Sequence, residues 1–176
     1  MPSADVKFPC VVKPAKEGSS VGLSVVSSVD EIALAVDRAG SSEGCVIVEQ
    51  YIPGRELTVG ILEDESLPVV EIIADDGVFD FKAKYEVDST RYVVPAELEE
   101  STCLKARELG KKVHLLFGCR CFSRVDMRLA PSGELFVLEV NTIPGFTERS
   151  LLPLAAGSLG ISFKDLCLRI VNNAVS

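Results

Sequence analysis

The sequence predicts an α+β fold, because strand-like and helix-like segments are intermixed and several neighbouring strands are joined by tight hairpin turns. No repeat or low-complexity stretch interrupts this pattern. With 176 residues, 47% hydrophobic and 25% charged, the chain can build one domain with a real core or two small lobes around a cleft.

The elements follow in order. FPCVVK (8–13) reads as a short buried strand, and PAKEGSSVG (14–22) as a small-residue loop returning to a second strand, LSVV (23–26). Ser28 and Glu31 form a capping box that opens a helix to about Gly40, with Ile32, Ala35, Val36 and Ala39 on its inner face. CVIVEQYI (45–52) is a strand stopped by Pro53-Gly54. ELTVGIL (56–62) and LPVVEII (67–73) make a hairpin around Glu63–Ser66. The polar, aromatic stretch 75–92 suits a long functional loop. Leu98 to Phe117 is the longest helix, with Leu109, Val113 and Leu116 in register and Gly118 as its stop. Two strands follow, then a short helix near 150–157 and a last one from Ser162 to about Ala174.

The net charge of −8 argues against a nucleic-acid surface, since neutralising phosphates needs clustered Lys and Arg. The scattered basic residues still allow a small anionic ligand. No run of about 18 apolar residues is present to span a membrane. The N-terminus lacks the apolar stretch of a signal peptide. It opens almost directly into a strand, which points to a fragment or to an upstream partner encoded elsewhere. The six cysteines lack a framework spacing and read mostly as small core hydrophobes, Cys119-x-Cys121 included, as in a reducing compartment. His114, the lone histidine, reads as structural or exposed.

RVDMRLAPSGELFVLEVN (124–141) is the most informative segment. A hairpin centred on a two-residue Ser132-Gly133 turn sets Ala130 opposite Leu135, Arg128 opposite Val137, Asp126 opposite Glu139 and Arg124 opposite Asn141. One face then carries Val125, Met127, Leu129, Phe136, Leu138 and Val140. The other carries Arg124, Asp126, Arg128, Glu139 and Asn141. Opposed carboxylates repel unless something neutralises them. Two readings fit: a hard cation such as magnesium shared with substrate phosphates, or a solvated face on which Arg124 and Arg128 offset the charge. Asn141 runs into TIPGFTERS (142–150), as if the strand delivers a ligand-binding loop. KPAKEGSSVG (13–22) lacks the Gly-Lys-Ser/Thr of a Walker A loop. It reads either as an ordinary turn or as a loop whose N–H groups and hydroxyls close over phosphate oxygens.

Taken together, VVKPAKEGSSVG, VEQYIPGRELTVGIL, FKAKYEVDSTRY, GCRCFSRVDMRL, LFVLEVNTIPGFTERSLLP and GISFKDL resemble the D-alanine-D-alanine ligases, in order and over nearly the whole chain. The resemblance implies an ATP-grasp fold, which holds nucleotide between two α+β lobes. Residues 1–52 would be a partial central lobe and 53–176 the C-terminal lobe. It implies ATP and Mg2+, with Mn2+ as a substitute, and D-alanine as substrate. The reaction would run through an acyl phosphate to D-alanyl-D-alanine for peptidoglycan precursors.

Carried over residue by residue, Lys13 and Lys84 would contact ATP phosphates, and the Gly18–Gly22 loop, with Ser19 and Ser20 in it and Glu17 just before it, would fold over them. Glu49, Gln50, Tyr51 and Ile52 match the adenine-holding segment, and Glu56 the ribose-binding carboxylate. Asp126, Glu139 and Asn141 match the magnesium ligands. Arg124 and the Gly145 N–H match oxyanion stabilisers, while Ser150 and the Leu151 N–H match the clamp on the second substrate's carboxylate. Ser19 and Tyr85 match two members of a hydrogen-bonded triad, and a Tyr there goes with a D-alanine acceptor. The triad's glutamate belongs to the family's N-terminal domain, which is lacking here and would act in cis or in trans. The chain alone is therefore expected not to turn over. A homodimer through that domain, and a place in the cytoplasm or a plastid stroma, go with the family. A non-catalytic nucleotide-binding module and another ATP-grasp carboxylate-amine ligase are the alternatives.

Overall fold

The computed structural model describes residues 6–16, 20–40, 44–73 and 90–174. These form two compact units, one up to Ile52 and the other made of Pro53–Ile73 and the described residues from Arg91 on.

In the first unit, β1 (Cys10–Pro14) pairs antiparallel with β2 (Ser24–Val26) on one side and β3 (Val46–Gln50) on the other. Helix α1 (Val29–Ala39) closes a small core of Cys10, Val12, Val26, Ile32, Ala35 and Ala39. Val36, expected inside, is exposed. One helix over three strands buries only a narrow stripe at 32, 35 and 39. The expected capping box does not form. The Glu31 carboxylate accepts the Ser27 N–H at 3.0 Å, and Ser28 offers its carbonyl, not its hydroxyl, to the Glu31 N–H.

The second unit carries a five-stranded antiparallel sheet in the order β6-β5-β4-β7-β8. Its strands are β4 (Arg55–Leu62), β5 (Glu65–Ile73), β6 (Arg91–Val93), β7 (Phe122–Leu129) and β8 (Leu135–Asn141). The β4–β5 turn is tighter than expected. Glu63 and Asp64, both at positive φ, make a two-residue turn whose twist matches the flanking strands. Strand β6 falls at the end of the segment expected to be loop, pairing with Glu71, Ile72 and Ile73.

Helix α2 (Glu100–Leu116) lies on one face of the sheet, where its Gly110 meets Val59 and Ile61. Helix α3 (Leu151–Gly157) covers part of the opposite face, with Leu152 over Gly60. Helix α4 (Phe163–Ala174) follows and buries Leu166. The main core is Leu57, Val59, Ile61, Val69, Val125 and Met127, with Ala106 and Val113 from α2. Leu116 was expected in that register but is 77% exposed. It closes the last turn, where the residues on both sides, Leu115 and Phe117, are exposed too.

All six cysteines are free thiols. Cys10 is a core residue, and burial pushes its thiol up. Cys45, just ahead of β3, is exposed and plays no core part. No helix among the described residues is long and apolar enough to cross a membrane.

Candidate active site

The sheet of the second unit brings the site residues together as rungs. Thr58 on β4, Asp126 on β7 and Glu139 on β8 are successive partners, and the next rung is Gly60, Arg124 and Asn141. A third rung places Glu56 beside Arg128. Side chains two apart share a face, so these residues line the face opposite α2.

The expected pairing of Asp126 with Glu139 and of Arg124 with Asn141 is present, whereas the pairing nearer the turn is not. Arg128 faces Phe136, and Leu129 faces Leu135. The turn is longer than two residues, with the Ala130 N–H on the Glu134 carbonyl. A bulge between Asp126/Met127 and Glu139/Val137 takes up the extra residue, Leu138. The bulge therefore changes which β8 residues face the core. Leu135 and Val140 pack against it, and Leu138 is 40% exposed.

Asp126 is buried and held on both oxygens. Oδ1 accepts the Thr58 hydroxyl at 2.6 Å and Arg124 Nε at 2.8 Å, and Oδ2 accepts Arg124 Nη2 at 2.7 Å. Of the two arginines that could offset the paired carboxylates, Arg124 bonds Asp126 among the described residues. Arg128 turns to Glu56 Oε2 at 3.0 Å and to the Gly54 carbonyl at 3.0 Å. Glu139 is exposed, and its Oε1 accepts Asn141 Nδ2 at 3.2 Å. That donation leaves the Asn141 carbonyl as the acceptor end of the amide.

Chemically this is an all-oxygen donor set of two carboxylates and an amide. No group of three or more His, Cys, Asp or Glu that could cage a metal occurs among the described residues. Such a sparse set fits Mg2+, which binds through one or two carboxylates while keeping waters or substrate phosphates, better than it fits a closed all-protein site. The Arg124 guanidinium in the same cluster adds a fixed positive charge.

After β8 the chain reaches Gly145 and Phe146. The Phe146 ring lies between Phe122 (centroids 6.0 Å apart) and Phe163 (5.4 Å), which ties this loop to β7 and α4. Ser150 is the residue before α3, but its hydroxyl does not cap the helix. It accepts the Thr147 N–H at 2.9 Å and meets the Thr147 hydroxyl at 3.0 Å. Leu151 begins α3 and is buried.

In the first unit, Lys13 on β1 and Glu49 on β3 form an ion pair of 2.8 Å. Gln50 ends β3 and is exposed, the Tyr51 N–H donates to the Pro9 carbonyl, and Ile52 is half-buried. Ser20 sits at positive φ, and its carbonyl accepts the Leu23 N–H. Glu17, Gly18, Ser19, Lys84 and Tyr85 lie outside the described residues.

Residues 2–172 match the family model described as the D-ala D-ala ligase C-terminus. The chain belongs to this family. The D-alanine--D-alanine ligase of Citrifermentans bemidjiense is 42% identical over 167 residues, covering 95% of this chain and 55% of that protein. The VanG D-Ala:D-Ser ligase from Enterococcus faecalis superposes with a TM-score of 0.85 at 35% identity, covering 96% of this chain and 50% of that one. A Bacillus anthracis D-alanine--D-alanine ligase complexed with ATP does so with a TM-score of 0.77 at 28% identity, covering 96% and 51%. The fold is thus the ATP-grasp fold of the D-alanine ligases. The chain spans about half the length of these relatives.

Two residues that bond to the candidate residues, Thr58 to Asp126 and Thr147 to Ser150, are not among those the sequence singles out. Thr58 is the lone hydroxyl in the apolar strand ELTVGIL, two residues from Glu56, and that alternation was the signal for it. Thr147 had no distinguishing signal within TIPGFTERS.

Proposed function

We propose that this chain is the ATP- and Mg2+-binding half of a ligase that joins two D-alanines. In the full reaction, one D-alanine carboxylate oxygen takes the γ-phosphoryl group of ATP and ADP leaves. The amine of the second D-alanine then attacks the acyl carbon, phosphate departs with the C–O electron pair, and the nitrogen gives up a proton to leave D-alanyl-D-alanine. The observation that carries this reading is the pair of rungs Thr58–Asp126–Glu139 and Gly60–Arg124–Asn141. They gather oxygen donors and a guanidinium, the kinds of group that neutralise charge in phosphoryl transfer.

Mg2+, when bound by Asp126, Glu139 and Asn141, would neutralise charge on the transferred phosphoryl group; Mn2+ would substitute. Lys13 and Lys84 would hold phosphates, with the Gly18–Gly22 loop closing on them beside Glu17. Glu49, Gln50, Tyr51 and Ile52 would hold adenine, and Glu56 the ribose. Arg124 and the Gly145 N–H would stabilise the oxyanion, while Ser150 and the Leu151 N–H would grip the acceptor carboxylate. Ser19 and Tyr85 would await a glutamate from an N-terminal domain, with Tyr85 favouring a D-alanine acceptor. Residues 1–52 and 53–176 would be the two ATP-grasp lobes of a cytoplasmic enzyme that is dimeric through that N-terminal domain.

A chain spanning half of its relatives is expected to bind ATP without turnover. Calorimetry with ATP and Mg2+ tests binding. Phosphate release dependent on D-alanine is expected only after fusion to the N-terminal half of the Citrifermentans bemidjiense relative. The absence of ATP binding by the chain would overturn the proposal, as would a fusion that binds ATP but ignores D-alanine.

A further inference from the structure

We infer that Thr58 is a positioning residue for the metal, fixing Asp126 so that only Oδ2 is open to a cation. The inference rests on the proposed Mg2+ role of Asp126 and extends it to a residue that the metal itself would not touch.

Thr58 and Asp126 are direct partners across β4 and β7, and both are buried. The Thr58 hydroxyl has one proton and two acceptors within reach, Asp126 Oδ1 at 2.6 Å and the Val125 carbonyl at 3.3 Å. The shorter contact is charge-assisted, so the proton goes to the carboxylate. A carboxylate offers about four lone-pair directions, two on each oxygen. On Oδ1, Thr58 and Arg124 Nε take both; on Oδ2, Arg124 Nη2 takes one. One direction on Oδ2 remains, which sets Asp126 up to bind through a single oxygen.

Arg124 alone could not hold this orientation. Its long side chain is a ligand-facing group in the proposed chemistry, and its fork could rotate with the carboxylate. Thr58 sits on a central strand with a β-branched side chain that is stiff at χ1. Its hydroxyl is therefore a fixed reference against which the Asp126 carboxyl plane is set, as outer partners set metal-binding carboxylates generally.

The test is Mn2+ binding in the presence of ATP, followed by electron paramagnetic resonance on the 176-residue chain. Thr58→Val keeps the shape and removes the donor, and Thr58→Ser keeps the donor. We expect Val to weaken Mn2+ binding about tenfold or more and Ser to stay within about threefold of the unsubstituted chain. Asp126→Asn separates the two claims. Loss of Mn2+ binding in Asp126→Asn with no change in Thr58→Val would overturn the Thr58 role and leave the metal reading standing. Unchanged binding in Asp126→Asn, or no Mn2+ bound by the unsubstituted chain, would overturn both. Thr58→Ala removes the same hydroxyl and supplies the readout should the Val variant fail to fold.

Discussion

Arg124 grips Asp126 by both carboxylate oxygens, at 2.8 and 2.7 Å, with little of either side chain exposed. A carboxylate taken out of water this far needs its counter-charge. Arg124→Ala should therefore cost about 3 kcal/mol in urea unfolding of the metal-free chain. The double variant with Asp126→Asn should be more stable than Arg124→Ala alone, because the stranded charge has gone. Equal stabilities for the two variants would mean that the pair carries no such coupling.

Gly54 stands at φ +121, and a Cβ there would run into the Leu129 carbonyl. Its own carbonyl accepts Arg128 Nη2, the arginine that also holds Glu56. Gly54→Ala should lower stability by about 2 kcal/mol or more, through backbone strain and displacement of this bonded corner. It should also weaken nucleotide binding if Glu56 holds the ribose. Urea unfolding and ATP calorimetry read the two effects separately.

Much of this arrangement was legible in the sequence, for identifiable reasons. Alternation of Arg124, Asp126 and Arg128 with Val125, Met127 and Leu129 showed which side chains of β7 share a face, although the strand begins earlier, at Phe122, and both of its faces are largely buried. The same logic failed on β8 near the turn, because a bulge adds a residue without leaving any mark in composition. Thr58 was marked only by its place two residues from Glu56, a weak signal because threonine is at home in strands whether or not its hydroxyl does anything. The three-residue strand β6 is too short to show a period. The ion pair of Lys13 with Glu49 depends on pairing between distant strands that no local pattern encodes.

Lys13 and Glu49 are both partly open to solvent, so their bond should add little to stability, about 1 kcal/mol at most. Lys13→Met should leave the unfolding midpoint nearly unchanged while weakening ATP binding about tenfold or more, as expected for loss of a charge-assisted phosphate contact. A large stability loss with unaltered ATP affinity would make this lysine structural.

His114 is fully buried, with Nδ1 2.7 Å from the Ser123 hydroxyl and Nε2 3.2 Å from Asp64 Oδ1, the latter not aligned as a hydrogen bond. Ser123→Ala should cost about 1–3 kcal/mol by leaving a buried ring nitrogen unpaired. Because Ser123 points to the α2 face of β7, away from Arg124 and Asp126, the loss should appear in urea unfolding with the ATP affinity largely preserved.

Arg169 on α4 bonds Glu63 in the β4–β5 turn, and this hydrogen bond holds the Glu63 carboxyl below its ordinary value despite some opposing desolvation. A depressed carboxyl stabilises the fold above its unfolded value, and the benefit fades as pH falls through the lower folded value. Glu63→Gln should therefore flatten part of the acid limb of stability and leave a shortfall near neutral pH. Matching pH profiles for the two proteins would exclude this contribution.

The bulge at Leu138 has a further consequence for how β7 and β8 tolerate change. It takes up the odd residue on the strand side, so the connection at 130–134 can differ in length without rotating Asp126 and Glu139 out of opposition. The hairpin tip is thereby insulated from the chemistry a few residues away. Insertions there should be neutral, and deletion of Leu138 alone should only regularise the ladder, because Val137 and Glu139 would then be consecutive opposite Met127 and Asp126, each on its partner's face.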